Sequence, residues 1–176
     1  VIKNKVILIT GVNGFIGNYL YNKLKPYNEI LELDEDDGGV KNMSLVLDRC
    51  KGVDYIFHLG AISTVPNCEK YKASAHDVNV TGTFNLLNAA LEMKVEKVVF
   101  ASSAAVYEPY NFYAITKQMG EHYCKLFSLY GLPTVALRLF NVYGFNPNSD
   151  AVISSLFKQF KEGNDIIIQG DGNQTR

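Results

Sequence analysis

Long apolar runs, basic clusters and paired cysteines are all missing from this sequence, and each gap removes a class of function. No apolar run approaches the ~20 residues of a membrane-spanning helix, and the opening VIKNKVILITG lacks a signal-peptide cleavage region, which points to a cytoplasmic protein. The formal net charge is −1 with no block of Lys and Arg. Nucleic acid and membrane surfaces therefore find no electrostatic footprint. Cys50, Cys68 and Cys124 are odd in number and widely spaced, which fits neither a disulfide framework nor a zinc knuckle and leaves packing as their role. His58, His76 and His122 lack metal-ligand spacing, and His58, closing an apolar strand, reads as a structural histidine. There is no internal repeat, low-complexity tract or interdomain linker. What remains is 176 residues of 47% hydrophobic content, enough for one good core and for one domain or slightly more, with a small molecule as partner.

The patterning alternates strand and helix. KVILITG is a β-branched run ending in glycine, and VNGFIGNYLYNKL follows at once with helical spacing. Gly11, Gly14 and Gly17 sit at that junction, where missing side chains let the backbone approach a pyrophosphate at a helix N-terminus. EILELD reads as a second strand ending at Asp34. A carboxylate there accepts hydrogen bonds from adenosine ribose hydroxyls and repels a 2′-phosphate, which favours NAD over NADP. SLVLDRC then reads as a helix, VDYIFHLGA as a strand, DVNVTGTFNLLNAALEM as a helix, KVVFASS as a strand and NFYAITKQMGEHYCKLFSLYG as a helix. PTVALRLFNVYG is a strand running into a loop, AVISSLFKQFKEG a helix, and DIIIQG a strand returning to the sheet. This alternation predicts an α/β fold, a Rossmann-type doubly wound parallel sheet. Residues 10–17, 34, 59–63, 101–103 and 140–144 all fall at the carboxyl ends of strands, where such sheets bind ligands.

Within that frame, Tyr113 and Lys117 are four residues apart on one helix, so they share a face. A neighbouring ammonium favours the phenolate and lowers the phenol pKa, which predicts that Lys117 makes Tyr113 a proton acceptor. A Tyr and a Lys at this spacing also occur on ordinary surface helices, so their company decides. The same helix carries Tyr113, Cys124 and Phe127 toward one side and Ile115, Met119, Leu126 and Tyr130 toward others. One face covers the sheet; the rest pairs with a partner chain in a homodimer or lies under a loop of the same chain.

With GVNGFIG, HLGA, DVNVTGT, ASSAAVY, FYAITK, RLFNVYG and GDGNQTR in one order, the sequence resembles the extended short-chain dehydrogenase/reductases, and among them the nucleotide-sugar 4-epimerases. The resemblance implies that Gly11, Gly14, Phe15, Ile16 and Gly17 hold the NAD pyrophosphate and Asp34 the adenosine ribose. It places Leu59, Gly60, Ala61 and Ser63 along the cofactor, with Asn79 nearby and Phe140 near the nicotinamide. It makes Ser103 the catalytic hydroxyl with Ser102 as its neighbour, Tyr113 the base, and Lys117 a nicotinamide-ribose ligand. Asn141 and Arg176 match positions that grip the substrate diphosphate. The implied reaction is NAD-dependent 4-epimerisation of a UDP-hexose or UDP-N-acetylhexosamine. The branches that dehydrate or decarboxylate place acids just after the catalytic hydroxyl, where this chain has Ala104 and Ala105. A reductase, a heptose 6-epimerase and a non-catalytic dinucleotide-binding module are the other readings.

The spacing departs from the family in two places. Nineteen residues separate Asp34 from Asp54, and Ser103 and Tyr113 are ten positions apart, both shorter than in the family. GGVKN replaces the usual adenine contact, so no adenine ligand is assigned. The resemblance implies segments missing near residues 37–40 and 108–111, and a missing C-terminal part. Residues 1–144 are then the NAD-binding domain with the catalytic residues, and 145–176 the start of a substrate-binding region.

Overall fold

The computed structural model describes residues 2–34, 39–144, 152–168 and 170–173. The first compact unit, Val1–Leu139, is built on five parallel strands. These are β1 (Val6–Thr10), β2 (Glu29–Leu33), β3 (Tyr55–His58), β4 (Lys97–Ser103) and β5 (Thr134–Leu139), in the order β2-β1-β3-β4-β5. The chain leaves β1 toward β2 and returns to pair β3 on the other side of β1. The strand order reverses there, so the loops after β1 and β3 diverge and leave a crevice between them.

Helices fill both faces. Helix α1 (Phe15–Leu24) covers one face, where Ile7, Ile9, Val12 and Leu24 form a small core with Leu20 and Phe57. The opposite face carries the larger core, in which Leu8, Ile56, Val98 and Phe100 meet Leu86, Leu87, Cys124 and Phe127. It is covered by α2 (Met43–Arg49), α5 (Gly82–Glu92) and α6 (Phe112–Leu129). Gly120 lets α6 lie close: a Cβ there would come within 2.4 Å of the Phe100 ring. Asn111 caps α6 by accepting from the Ala114 N–H at 2.9 Å, a bond that satisfies one of the otherwise orphaned donors of the first turn.

Three elements differ from the sequence-based expectation. The helix expected from Asp77 begins at Lys72 as α4 (Lys72–His76) and passes through a π-helical stretch, Asp77–Thr81, before α5. A further short helix, α3 (Val65–Lys70), was not anticipated; Thr64 caps it, accepting from the Asn67 N–H at 3.3 Å, and Pro66 occupies its first turn. DIIIQG forms no strand across its described residues, 165–168 and 170, where Ile166, Ile167 and Ile168 are all exposed. A β-branched run becomes a strand only against a paired edge, and among the described residues no ladder reaches it.

All three cysteines are buried and free, and burial pushes the Cys50 and Cys124 thiols up to about 12. They are packing groups. No described helix is long and apolar enough to cross a membrane. The second unit, Phe140–Arg176, contains α7 (Val152–Lys161), on which Val152, Ile153, Phe157 and Phe160 are exposed. The division falls after Leu139, where β5 ends.

Candidate active site

The crevice at the strand-order reversal is a cavity of ≈ 570 Å³. Gly11, Gly14, Phe15, Ile16, Gly17, Asp34, Leu59, Gly60, Ala61 and Ser63, all expected beside a cofactor, line it together. Two glycines make its floor possible. Gly11 has φ +73, and a Cβ on it would stand 2.7 Å from the Gly60 nitrogen; a Cβ on Gly17 would stand 2.0 Å from the Gly11 carbonyl oxygen. The first turn of α1 carries no acidic residue, so nothing competes with an anion for its free N–H groups. At the cavity's far end Asp34 accepts from the Asn13 backbone N–H at 3.0 Å, which orients the carboxylate. Glycine floor, helix N-terminus and oriented carboxylate fit a dinucleotide.

Sequence reasoning missed part of the wall. Gly39 and Val40, for which no role was assigned, line the cavity together with Asn13, Ile62 and Val78. Asn13 acts through its backbone, which has no residue-type signature. Gly39 and Val40 belong to the unusual GGVKN stretch that matched no pattern.

Behind the wall runs a chain of buried polar groups. Thr83 Oγ1 donates to the Asn79 carbonyl at 2.7 Å, so it accepts from His58 Nε2 at 2.9 Å; His58 Nδ1 then accepts from Thr10 Oγ1 at 2.7 Å. Thr10 Oγ1 in turn accepts from the Gly60 N–H at 2.9 Å. Every group is satisfied, and burial pulls the His58 imidazole down to about 3, so it stays neutral. His58 is the structural histidine the sequence suggested. Its effect is to tie the ends of β1 and β3 to α5. Asn79, expected near the cofactor, lies behind the wall because its amide is committed elsewhere: it accepts from the Ile62 N–H at 2.9 Å and donates to Thr116 Oγ1 at 3.1 Å. It thereby joins the cavity loop to α6.

The Ser103 hydroxyl neighbours the Tyr113 phenol closely enough to favour its ionised form. Ser103 caps the 3-10 turn Ala104–Tyr107, and the Phe112 N–H at the start of α6 donates to Glu69 Oε1 at 2.8 Å, pinning that helix end to α3. Lys117 is 4% exposed, donates to the Ala101 carbonyl at 2.8 Å and lies over the Phe100 ring at 5.0 Å. Ala101 lines the cavity, so the Ser103, Tyr113 and Lys117 cluster adjoins it.

Burial raises the Tyr113 phenol above its ordinary value, and the neighbour that opposes the rise is Ser103 rather than Lys117. The ammonium is directed at the Ala101 carbonyl instead, and burial pulls it down to about 8. Phe140 and Asn141 belong to the second unit, and Arg176 lies outside the described residues.

Fold and site together define a dinucleotide-binding α/β protein with a serine, a tyrosine and a lysine gathered at the cavity's edge. Residues 7–176 match the NAD dependent epimerase/dehydratase family. A Methanocaldococcus jannaschii protein named as a UDP-glucose 4-epimerase is 35% identical over 97% of this chain and 68% of its own length. A UDP-N-acetyl-alpha-D-glucosaminuronate decarboxylase of Bacillus cytotoxicus is 30% identical over 98% of this chain and 66% of its own. A solved UDP-N-acetylglucosamine 4-epimerase of Methanobrevibacter ruminantium, in complex with UDP-N-acetylmuramic acid, superposes with TM-score 0.89 at 29% identity, covering 98% of this chain and 68% of that one. The chain belongs to the NAD dependent epimerase/dehydratase family; it is an enzyme of that family, and NAD is its cofactor. It spans about two thirds of these relatives' lengths. The M. jannaschii alignment runs over 208 positions against 176 residues here, so that relative carries residues with no counterpart in this chain.

Proposed function

We propose that the chain catalyses epimerisation at C4 of a nucleotide-linked hexose, with a UDP-hexose or UDP-N-acetylhexosamine as substrate. The observation that supports this reading is the gathering of Ser103, Tyr113 and Lys117 beside the dinucleotide cavity, with Lys117 bonded to the cavity-lining Ala101. Two hydroxyls converging on one point suit a single sugar oxygen. Tyr113 as phenolate takes the proton of the C4 hydroxyl, while Ser103 holds the same oxygen by hydrogen bonding. When bound, NAD supplies the acceptor for the C4 hydride and the donor that returns it, so no external reductant is consumed. The 4-keto sugar turns about its diphosphate tether between the two transfers, and Tyr113 restores the proton to the new alcohol. Lys117 holds the end of β4 through Ala101 and serves as the nicotinamide-ribose ligand. Asn141 and Arg176 are assigned to the diphosphate by resemblance, and residues 145–176 to the beginning of the substrate region.

Dehydration and decarboxylation need further acid–base groups beyond C4. Ala104 and Ala105, directly after Ser103, offer none. Exposed Phe84 on α5 with Ile115, Leu126 and Tyr130 on and just beyond α6 supports pairing with a second copy of the chain.

Proton NMR of the protein with NAD and each UDP-sugar in turn tests the reaction. Conversion of UDP-glucose, UDP-galactose or an N-acetyl counterpart to its C4 epimer is the expected result. A 4-keto-6-deoxy product, or unchanged spectra in protein with NAD bound, would overturn it, the second in favour of a binding module.

A further inference from the structure

Glu121 stands on α6 one turn beyond Lys117 and two beyond Tyr113, where three elements meet. Its Oε1 accepts from Ser102 Oγ at 2.5 Å and from Arg138 Nε at 2.9 Å; its Oε2 accepts from an Arg138 Nη at 2.8 Å. Ser102 and Arg138 are register partners on β4 and β5, so one carboxylate grips the ends of both strands. The guanidinium is covered on one side by the Tyr107 ring, 4.6 Å from Cζ to centroid. The Glu121 side chain is only 16% exposed. A two-pronged, half-sheltered arginine–carboxylate pair of this kind fixes geometry far better than an exposed ion pair.

The position of this clamp matters more than its strength. Successive strand residues point to opposite faces, so anchoring Ser102 to α6 also fixes the direction in which Ser103 points. A helix rises ~1.5 Å and turns about 100° per residue, so a slip of α6 by a single residue carries the Tyr113 phenol away from Ser103. Lys117 on Ala101, the Glu69 bond to the helix start and Asn79 on Thr116 also resist the slip, and Thr134 at the start of β5 bonds Ser128 Oγ and the Cys124 carbonyl near the far end of α6. Glu121 adds the grip at the carboxyl ends of β4 and β5, beside Ser103. None of Ser102, Glu121, Arg138 and Tyr107 lines the dinucleotide cavity.

We propose that Glu121, held by Arg138 and Ser102, is a positioning residue that locks α6 against β4 and β5 in the register that keeps the Tyr113 phenol on Ser103. Its catalytic consequence rests on the 4-epimerase reading; its structural consequence does not. Ser103 is the neighbour that opposes the burial-driven rise of the phenol pKa, so loosening the clamp that aligns the two leaves Tyr113 harder to ionise.

The test uses Glu121→Ala and the milder Glu121→Gln, which retains an acceptor for Ser102 and loses the charge; Glu121→Gln alone serves if the alanine variant fails to fold. Ultraviolet difference titration against Tyr113→Phe isolates the Tyr113 phenol and needs no sugar. We expect its apparent pKa to rise in the folded variants while NAD affinity stays at the wild-type value. With substrate, kcat falls about ten- to a hundredfold, KM is unchanged, and the limb of the pH profile set by the base moves upward. A phenol titration identical to wild type in a folded variant overturns the proposal, as does a kcat loss matched by loss of NAD affinity. A phenol shift in protein that turns over no UDP-sugar supports the clamp and contradicts the epimerase reading alone.

Discussion

The dinucleotide cavity and the hydroxyl cluster beside it are built in opposite ways. The cavity floor is backbone: glycines that admit no Cβ, helix N–H groups, and a carboxylate steadied by a main-chain N–H. The cluster is made of side chains held by other side chains, through Asn79 to Thr116 and Glu121 to Arg138. A site built mainly of backbone depends chiefly on shape. A side-chain site depends on protonation states, and burial has moved both of its titratable groups, Tyr113 upward and Lys117 down to about 8. The two should therefore fail separately.

Tyr113→Phe sharpens that separation most. Removing the phenol oxygen should lower kcat by ~10²- to 10⁴-fold, the usual worth of a positioned acid–base group, and leave NAD affinity unchanged. Steady-state rates beside an NAD titration check this. Gly17→Ala attacks the other side. Its Cβ would meet the Gly11 carbonyl at 2.0 Å, and because the obstacle is backbone the whole turn must shift. NAD affinity should fall about tenfold or more, which corresponds to ~1.4 kcal/mol and above, while the Tyr113 phenol titrates as in wild type.

Lys117→Met tests whether the cluster is strained. Burial depresses this ammonium from its ordinary value to about 8, so below pH 8 the folded state holds a charge it disfavours, at roughly 3 kcal/mol. As pH rises from about 8 toward the ordinary lysine value, the folded chain releases its proton first. The unfolded chain then binds more protons, and stability rises across that window. Replacing Lys117 by Met should abolish turnover yet stabilise the fold by about 1–3 kcal/mol at neutral pH, a gain that shrinks above pH 8. Denaturant melts at two pH values decide it. The smallest effect expected is from Asp34→Asn, which keeps an acceptor for Asn13 but drops the charge. Preference for NAD over NADP should weaken by about 1 kcal/mol, measured as the ratio of the two dissociation constants.

The two halves also differed in how far they were legible. Glycine spacing after a β-branched run, and an acid closing the next strand, follow from covalent limits on backbone conformation, so residues 10–34 could be read directly. Tyr113 and Lys117 were readable as a pair because helical periodicity puts them on one face. What Lys117 does there was not, because its partner is the Ala101 carbonyl, and a carbonyl has the same signature at every residue. The role of Asn79 was hidden for a related reason: its partners, Ile62 and Thr116, are distant in sequence and meet only once the sheet has formed. The DIIIQG run failed in the other direction. Three isoleucines satisfy the local preference for a strand, but strand formation is settled by a neighbouring edge.

The separation of cavity and cluster is tested most directly by calorimetric titration of NAD into wild type, Tyr113→Phe and Gly17→Ala under one set of conditions. The account predicts one dissociation constant for wild type and Tyr113→Phe and a clearly weaker one for Gly17→Ala. Equal loss of affinity in the two variants would contradict it, making cofactor site and hydroxyl cluster a single cooperative unit.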